Sequence, residues 1–267
     1  MTDELLRPRG TERADASPTP VHKRRRRPSV LGILGEVLIT LGVLVLLFIV
    51  WQQWFNNIVV AEKYRAQSHS ISEQLDKKAK AAPTPVATPN AQGSYAPAVT
   101  PQPGNTQVFG VLYVPRFGAQ YSIPLAGGTT TAGTLDKIGV GHYDNTQMPG
   151  EIGNFAVAGH RTTHAAPFNK INTLQLGDKI FVKTAEGWYT YSFRNLEYVK
   201  PTEVSVLQAV PDAPTVDPSS TDRLMTMTSC NPLYSATERI VAYSVFSSYQ
   251  PLSAGIPAGL PASEVNG

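Results

Sequence analysis

Cysteine is almost missing from this 267-residue chain, which carries one, Cys230. A single thiol closes no intramolecular disulfide, and it excludes the zinc sites built from pairs of cysteines. An excess of charge of one sign is lacking as well, because the formal net charge is only +3. That surplus is too small to argue for nucleic-acid binding, and none is expected. No internal repeat is present. The length accommodates one large domain with additional segments.

The apolar and polar residues are segregated along the chain. Residues 1–28 are polar, contain Pro and Arg and show no apolar periodicity, which predicts a disordered tail on the cytoplasmic side. An almost unbroken apolar run follows at 30–51. About 20 apolar residues, rising about 1.5 Å each, cross a hydrocarbon core of about 30 Å. Residues 29–54 are therefore expected to be a transmembrane signal anchor, attaching the chain to the cell membrane through one N-terminal helix. Glu36, the one charge in the run, lies near enough its N-terminal end to reach the headgroups, and Trp51 and Trp54 suit the far interface. The basic cluster at 23–27 argues that the N-terminus stays cytoplasmic and that everything after Trp54 is extracellular. The leader and apolar core are longer than a cleaved signal peptide has, and no small-x-small cleavage site follows.

Residues 55–107 read as a charged helical stalk at 58–80 and then a Pro/Ala/Thr-rich linker of polyproline character. At 108–250 the pattern changes to short strands, among them FGVLYVP, GNFAVAGH, DKIFVKT, WYTYSFRNLEYV, DRLMTMTS and RIVAYSVFSS. Short helical pieces are expected near 131–137, 167–174 and 202–208. So many short strands with so few helices predict an all-β domain, a closed or nearly closed barrel. Residues 251–267, rich in Pro, Ala and Gly, are expected to be a flexible C-terminal tail.

Cys230 ends a strand-like run and precedes a Pro-containing turn, among the small polar residues Thr226, Thr228, Ser229 and Asn231. A buried structural cysteine has Ile, Val, Leu or Phe around it, whereas a nucleophile needs access, donors and a positive neighbour to hold the thiolate. Arg239 opens the next strand, so an antiparallel pair joined by the intervening loop brings it to the thiol. A cysteine nucleophile also needs a base. His69 lies in the stalk, out of play. His160 ends the apolar strand GNFAVAGH and emerges at a barrel rim, His142 in GVGHYDN can reach the same rim, and His164 sits in the loop between. The spacing His160-x-x-x-His164 raises a metal reading, but it lacks the Glu of the zincin motif and its Gly and Pro flanks oppose a helix. No metal and no cofactor is expected. Papain-type chemistry has cysteine before histidine, and here the order is reversed.

The segment Thr226-Met227-Thr228-Ser229-Cys230 resembles the T-L-x-T-C signature of sortases, membrane-anchored cysteine transpeptidases of Gram-positive bacteria. GNFAVAGHRTTHAAPFN resembles their histidine strand and loop, and CNPLYSATER with GHY…PGE…GN is similar to the actinobacterial class E branch. The likeness covers about residues 108–248, with Met227 and Ser229 standing where the signature has Leu and Thr. It implies a sortase-like eight-stranded β-barrel with short helices. It also implies that Cys230 attacks the Thr–Gly bond of an L-A-x-T-G or L-P-x-T-G-like C-terminal sorting signal in a secreted protein. His160 would then shuttle the proton and Arg239 would hold substrate and oxyanion, with a peptidoglycan-precursor amine as acceptor. Tyr121, His142, Thr228 and Ser229 are the candidate substrate-binding residues. Residues 81–107 lack the Asp-Pro-aromatic lid of pilus-assembling sortases, which favours protein anchoring over pilin polymerisation. A non-catalytic, membrane-tethered envelope-binding barrel is the competing reading. An L,D-transpeptidase would show Ser-His-Gly-Cys, which is not present.

Overall fold

The computed structural model describes residues 29–81, 89–91, 93–219 and 221–266. The tail at 1–28, with its basic cluster, and linker residues 82–88 lie outside the described residues. The chain divides into two units, Met1–Ile49 and Val50–Gly267. The described part of the first is helical and belongs to α1 (Val30–Ala81). It contains a window of mean hydropathy 2.8 with no buried share, long and apolar enough to cross a membrane. Anchor and stalk are one continuous helix rather than two elements. No Gly or Pro interrupts residues 50–60, so nothing breaks the i to i−4 ladder there.

The second unit is a closed barrel of eight strands in the order β1-β2-β3-β4-β7-β8-β6-β5. They are β1 (Val108–Tyr113), β2 (Ser122–Gly127), β3 (Val140–His142), β4 (Gly153–Gly159), β5 (Lys179–Thr184), β6 (Trp188–Val199), β7 (Arg223–Asn231) and β8 (Glu238–Gln250). Most neighbours are antiparallel, but β2–β3 and β4–β7 are parallel. Side chains alternate across a strand, and the core follows that alternation. Phe155, Val157, Met225, Met227, Ile240 and Ala242 fill the interior, while Val241 and Tyr243 pack outside against Val206 of the β6–β7 connection. The three short helical pieces expected from sequence are single turns at Thr131–Leu135, Ile171–Thr173 and Ser205–Leu207.

Two segments expected to lead away from the barrel lie on it. One face of the stalk, Tyr64, Ser68 and Ser72, is buried at helical spacing. Tyr64 donates to the Asp136 carbonyl at 3.1 Å, and Asn57 to the Thr162 carbonyl at 3.3 Å. Lys183 of β5, 1% exposed, donates to Ser72 Oγ at 2.7 Å and pairs with Asp76 at 2.7 Å. Leu260 and Val265, near the C-terminal end of the described residues, likewise pack against Val111, Tyr113, Phe181 and Trp188. The outer-face residues Val111, Tyr113 and Phe181 are apolar and gain by being covered.

Candidate active site

Three adjacent strands bring the chemistry-bearing residues into one row. In the antiparallel β7–β8 register, Cys230 lies directly opposite Arg239, as Thr228 lies opposite Val241 and Thr226 opposite Tyr243. Opposed residues share a face. That face is the outer one, because the alternate positions Met225 and Met227 are in the core. The parallel β4–β7 register pairs Ala156 with Thr226 and Ala158 with Thr228. Continued by two residues, it sets His160, which follows β4, beside Cys230. The row therefore stands on the outer wall, at the ends of β4 and β7 and the start of β8, rather than at the barrel mouth. Cys230 is half-buried. Arg239 Nη1 donates to the Ala236 and Glu238 carbonyls at 3.1 and 2.9 Å, which anchors one end of the guanidinium to its own loop.

The loop after His160 is tightly folded. Phe168 returns into the core and donates its N–H to the His160 carbonyl at 3.0 Å. Its ring lies where any Cβ on Gly159 would stand, 2.8 Å away, so glycine is required at that step. His164, Ala165 and Ala166 in succession take φ of 51°, 63° and 48°. Left-handed backbone costs a non-glycine residue about 1–2 kcal/mol, and the loop's own bonds offset it. His160 Nε2 contacts Asp136 Oδ1 at 2.7 Å, and His164 Nδ1 lies 3.4 Å from the same oxygen, its ring 5.1 Å from that of His160.

Two residues at the site carried no signal of their own in the sequence. Asp136 sits in a polar turn with no periodicity. Arg161 follows His160 directly and is buried, its charge made harder to hold by desolvation. It donates to the Asn169 carbonyl at 3.0 Å, to Asn172 at 3.1 Å, and through Nη1 to the Cys230 carbonyl at 3.4 Å and Asn231 at 3.3 Å. It thus ties the end of β4 to the end of β7. An arginine immediately after the candidate base was the available cue.

Of the candidate substrate-binding residues, Thr228 lies on the outer face, its hydroxyl 2.9 Å from that of Tyr143. Ser229 faces inward and donates to the Gly159 carbonyl at 2.8 Å, stitching β7 to β4. His142 is fully buried between Phe109 and Phe155, with Nε2 3.0 Å from the Gln147 carbonyl and Thr146 Oγ1. Burial pushes its pKa below the ordinary histidine value. Both side chains, Ser229 and His142, are turned to the interior. Tyr121 is half-buried, its ring edge-on to Phe117, and it donates to the Pro167 carbonyl at 2.6 Å, so its hydroxyl holds the histidine loop. Burial pushes that hydroxyl's pKa well up. The cleft of about 350 Å³ lined by Gln102, Asp144, Thr146 and Glu151 lies on the β3–β4 connection, away from the thiol.

Known proteins resemble this chain in sequence and in fold. A family model described as the sortase domain matches residues 112–246. Sortase SrtE1 of Streptomyces coelicolor is 32% identical over 248 residues, 89% of this chain and 64% of that protein. The chain therefore spans somewhat less than two thirds of that relative's length. SrtA sortase from Actinomyces oris is 38% identical in structure-based alignment, with a TM-score of 0.57, covering 61% of this chain and 92% of that one. Sortase E1 of Streptomyces coelicolor, solved with a tripeptide in the active site, is 32% identical with a TM-score of 0.54 over 58% of this chain and 98% of that one.

Proposed function

Because the chain belongs to the sortase family, a family of cysteine transpeptidases, we propose that it cleaves a C-terminal L-A-x-T-G or L-P-x-T-G-like sorting signal between Thr and Gly. It then joins the secreted protein to a peptidoglycan amine. The observation that supports this most directly is the row His160, Cys230 and Arg239 across β4, β7 and β8 on the exposed outer wall. In the proposed first step the Cys230 thiolate attacks the threonine carbonyl carbon, and the oxyanion forms within reach of the Arg239 guanidinium. Collapse breaks the Thr–Gly bond, and the glycine amine leaves with the proton of the His160 imidazolium. In the second step the acceptor amine attacks the thioacyl carbon, gives a proton to His160, and releases the thiolate. Nη1 of Arg239 is held by its loop, and the other donors of its five-donor fork serve the substrate.

The peptide lies along the outer wall next to the row, over Ala158 and Thr228, which are small enough to admit a backbone. The tripeptide in the active site of Streptomyces coelicolor sortase E1 is the analogue for this path. The apolar part of α1 acts as a single-pass anchor, and the basic cluster at 23–27 keeps the N-terminus cytoplasmic with the barrel outside.

The test uses the full-length protein in detergent micelles, an L-A-x-T-G peptide and an amine acceptor, read by mass spectrometry. A thioacyl adduct on Cys230 and an amine-ligated product are expected, and Cys230→Ala and His160→Ala abolish both. Arg239→Ala lowers kcat far more than it raises KM, because its charge partner develops in the transition state. A thiol that alkylates freely but never forms an adduct with either L-A-x-T-G or L-P-x-T-G peptide would sink the enzyme reading in favour of a tethered, non-catalytic barrel.

A further inference from the structure

We propose that Asp136, His160 and His164 form a binding site for a divalent transition-metal ion, specifically zinc, and that its occupation switches the cysteine chemistry off. Its inhibitory half rests on the role of His160 proposed above; its binding half stands on geometry alone.

The donor atoms Asp136 Oδ1, His160 Nε2 and His164 Nδ1 all lie within 4.8 Å of one another. Two of the separations are 2.7 and 3.4 Å. Zinc bonds of about 2.0–2.1 Å at tetrahedral angles place neighbouring ligand atoms about 3.3 Å apart. The one contact that must open therefore does so by less than about 1 Å. Two imidazoles and a carboxylate are a donor set that suits zinc, and three protein ligands leave a fourth position open.

The hydrogen bond between Asp136 and His160 accounts for those two residues, but not for His164. Its Nδ1 is shielded from solvent and makes no hydrogen bond, although it faces the Asp136 carboxylate. Three successive left-handed residues beginning at His164 fold the loop so that this ring stacks on His160. The backbone thus bends out of its preferred region to bring a second, unpartnered imidazole nitrogen to a carboxylate. A metal ion satisfies all three donors at once. Because His160 would coordinate through the nitrogen that now contacts Asp136, a bound ion fixes that ring and removes its lone pair from proton transfer.

The test has two arms on the full-length, untagged protein in detergent. In the first, cobalt(II) is titrated into Cys230→Ala, which lacks the thiol as a competing ligand, and displaced by zinc. Visible absorption should report one ion per chain, with affinity at least about tenfold weaker in His164→Ala and in Asp136→Asn on the same background. In the second, peptide cleavage by the parent should be inhibited by zinc and restored by EDTA. His164→Ala, normalised to its own metal-free rate, should need at least about ten times more zinc. Absence of stoichiometric binding, or unchanged affinity in His164→Ala, overturns the site. Zinc inhibition that survives His164→Ala overturns the switch and assigns the effect to the thiol. The binding arm needs no turnover, so a failure of the transpeptidase reading and a failure of the metal site are read separately.

Discussion

Arg161→Met should separate the tie between β4 and β7 from the proposed catalytic groups, His160 and Cys230, at the strand ends it holds. The substitution keeps the apolar stem and removes the guanidinium. Arg161 is 5% exposed and donates to the Asn169 carbonyl at 3.0 Å and Asn172 at 3.1 Å, with longer bonds of 3.4 and 3.3 Å to the Cys230 carbonyl and Asn231. Hydrogen bonds to a charged group contribute about 1.5–3 kcal/mol each. The two short bonds set the scale, because the longer ones weaken quickly with distance. The two sum to about 3–6 kcal/mol, and the part of the desolvation cost recovered with the charge offsets roughly a third of that. The net loss is about 2–4 kcal/mol. A domain of this size loses about 2–4 °C of Tm per kcal/mol, so calorimetry should show a drop of about 5–15 °C. Peptide cleavage should fall in kcat more than KM rises, because His160 and Cys230 sit at the two strand ends that come apart. Arg161→Lys should restore little, since one ammonium cannot replace a fork with partners on opposite sides. A methionine variant melting within about 2 °C of the parent and cleaving at its rate would refute the tie.

Other contacts give sharper tests of stability. His142 is held neutral by burial, so its folded pKa lies below the unfolded value of 6.5. The unfolded chain then binds more protons as pH falls below 6.5, and stability declines by about 1.4 kcal/mol per unit until the folded pKa is reached. Melts at about pH 5 and about pH 7.5 should show a smaller difference in His142→Gln than in the parent; an equal difference would discard the idea. Asp76→Ala should cost about 1–3 kcal/mol in urea unfolding, less than for a fully buried pair because the Asp76 side chain is 42% exposed, while Lys183→Met should be nearly neutral. Equal losses for the two would mean that the ammonium's burial is not what the carboxylate offsets. Tyr64→Phe removes one bond to the Asp136 carbonyl and should cost about 0.5–1.5 kcal/mol. Amide exchange at 134–139 should quicken with it, and unchanged protection there would argue that the stalk does not brace that turn.

The parts of the fold legible in the sequence are those set by local pattern. Alternation in GNFAVAG and RLMTMTSC predicts strands whose odd-numbered residues, Phe155, Val157, Met225 and Met227, face one side, and all four are interior. The antiparallel β7–β8 pair was legible too, because a short loop between strands forces it, and it sets Cys230 opposite Arg239. The parallel β4–β7 pairing leaves no local trace, since the two strands are joined only through β5 and β6. His142 illustrates the same limit. A histidine ending a three-residue strand has the pattern of a rim residue, and only the tertiary positions of Phe109 and Phe155 make it interior. The docking of the stalk is not marked in the sequence, because its buried face is narrow. Tyr64, Ser68 and Ser72 all bear a hydroxyl, and a hydrophobic pattern does not mark them.

The row of His160, Cys230 and Arg239 stands on the outside because the closed barrel leaves it no other place. Phe155, Tyr189, Tyr191 and Met225 fill the interior, so a peptide can approach only the wall. Half of that wall is already covered. Asn154 donates to the Val206 and Gln208 carbonyls at 3.2 and 3.1 Å and accepts from Thr226 at 2.8 Å, which pins the β6–β7 connection over Thr226. Tyr243 donates to Glu197 at 2.7 Å and Asp212 at 3.0 Å and closes the same side. The cover stops short of Cys230, which stays half-buried. Along one strand, then, the same outward face is roofed at Thr226 and open at Cys230, and the connection that roofs it fixes where an incoming chain must end. On the other flank, Tyr64 and Asn57 of the stalk hold the backbone of Asp136 and Thr162, on either side of His160. The position of His160 therefore depends on the docked stalk as well as on the barrel.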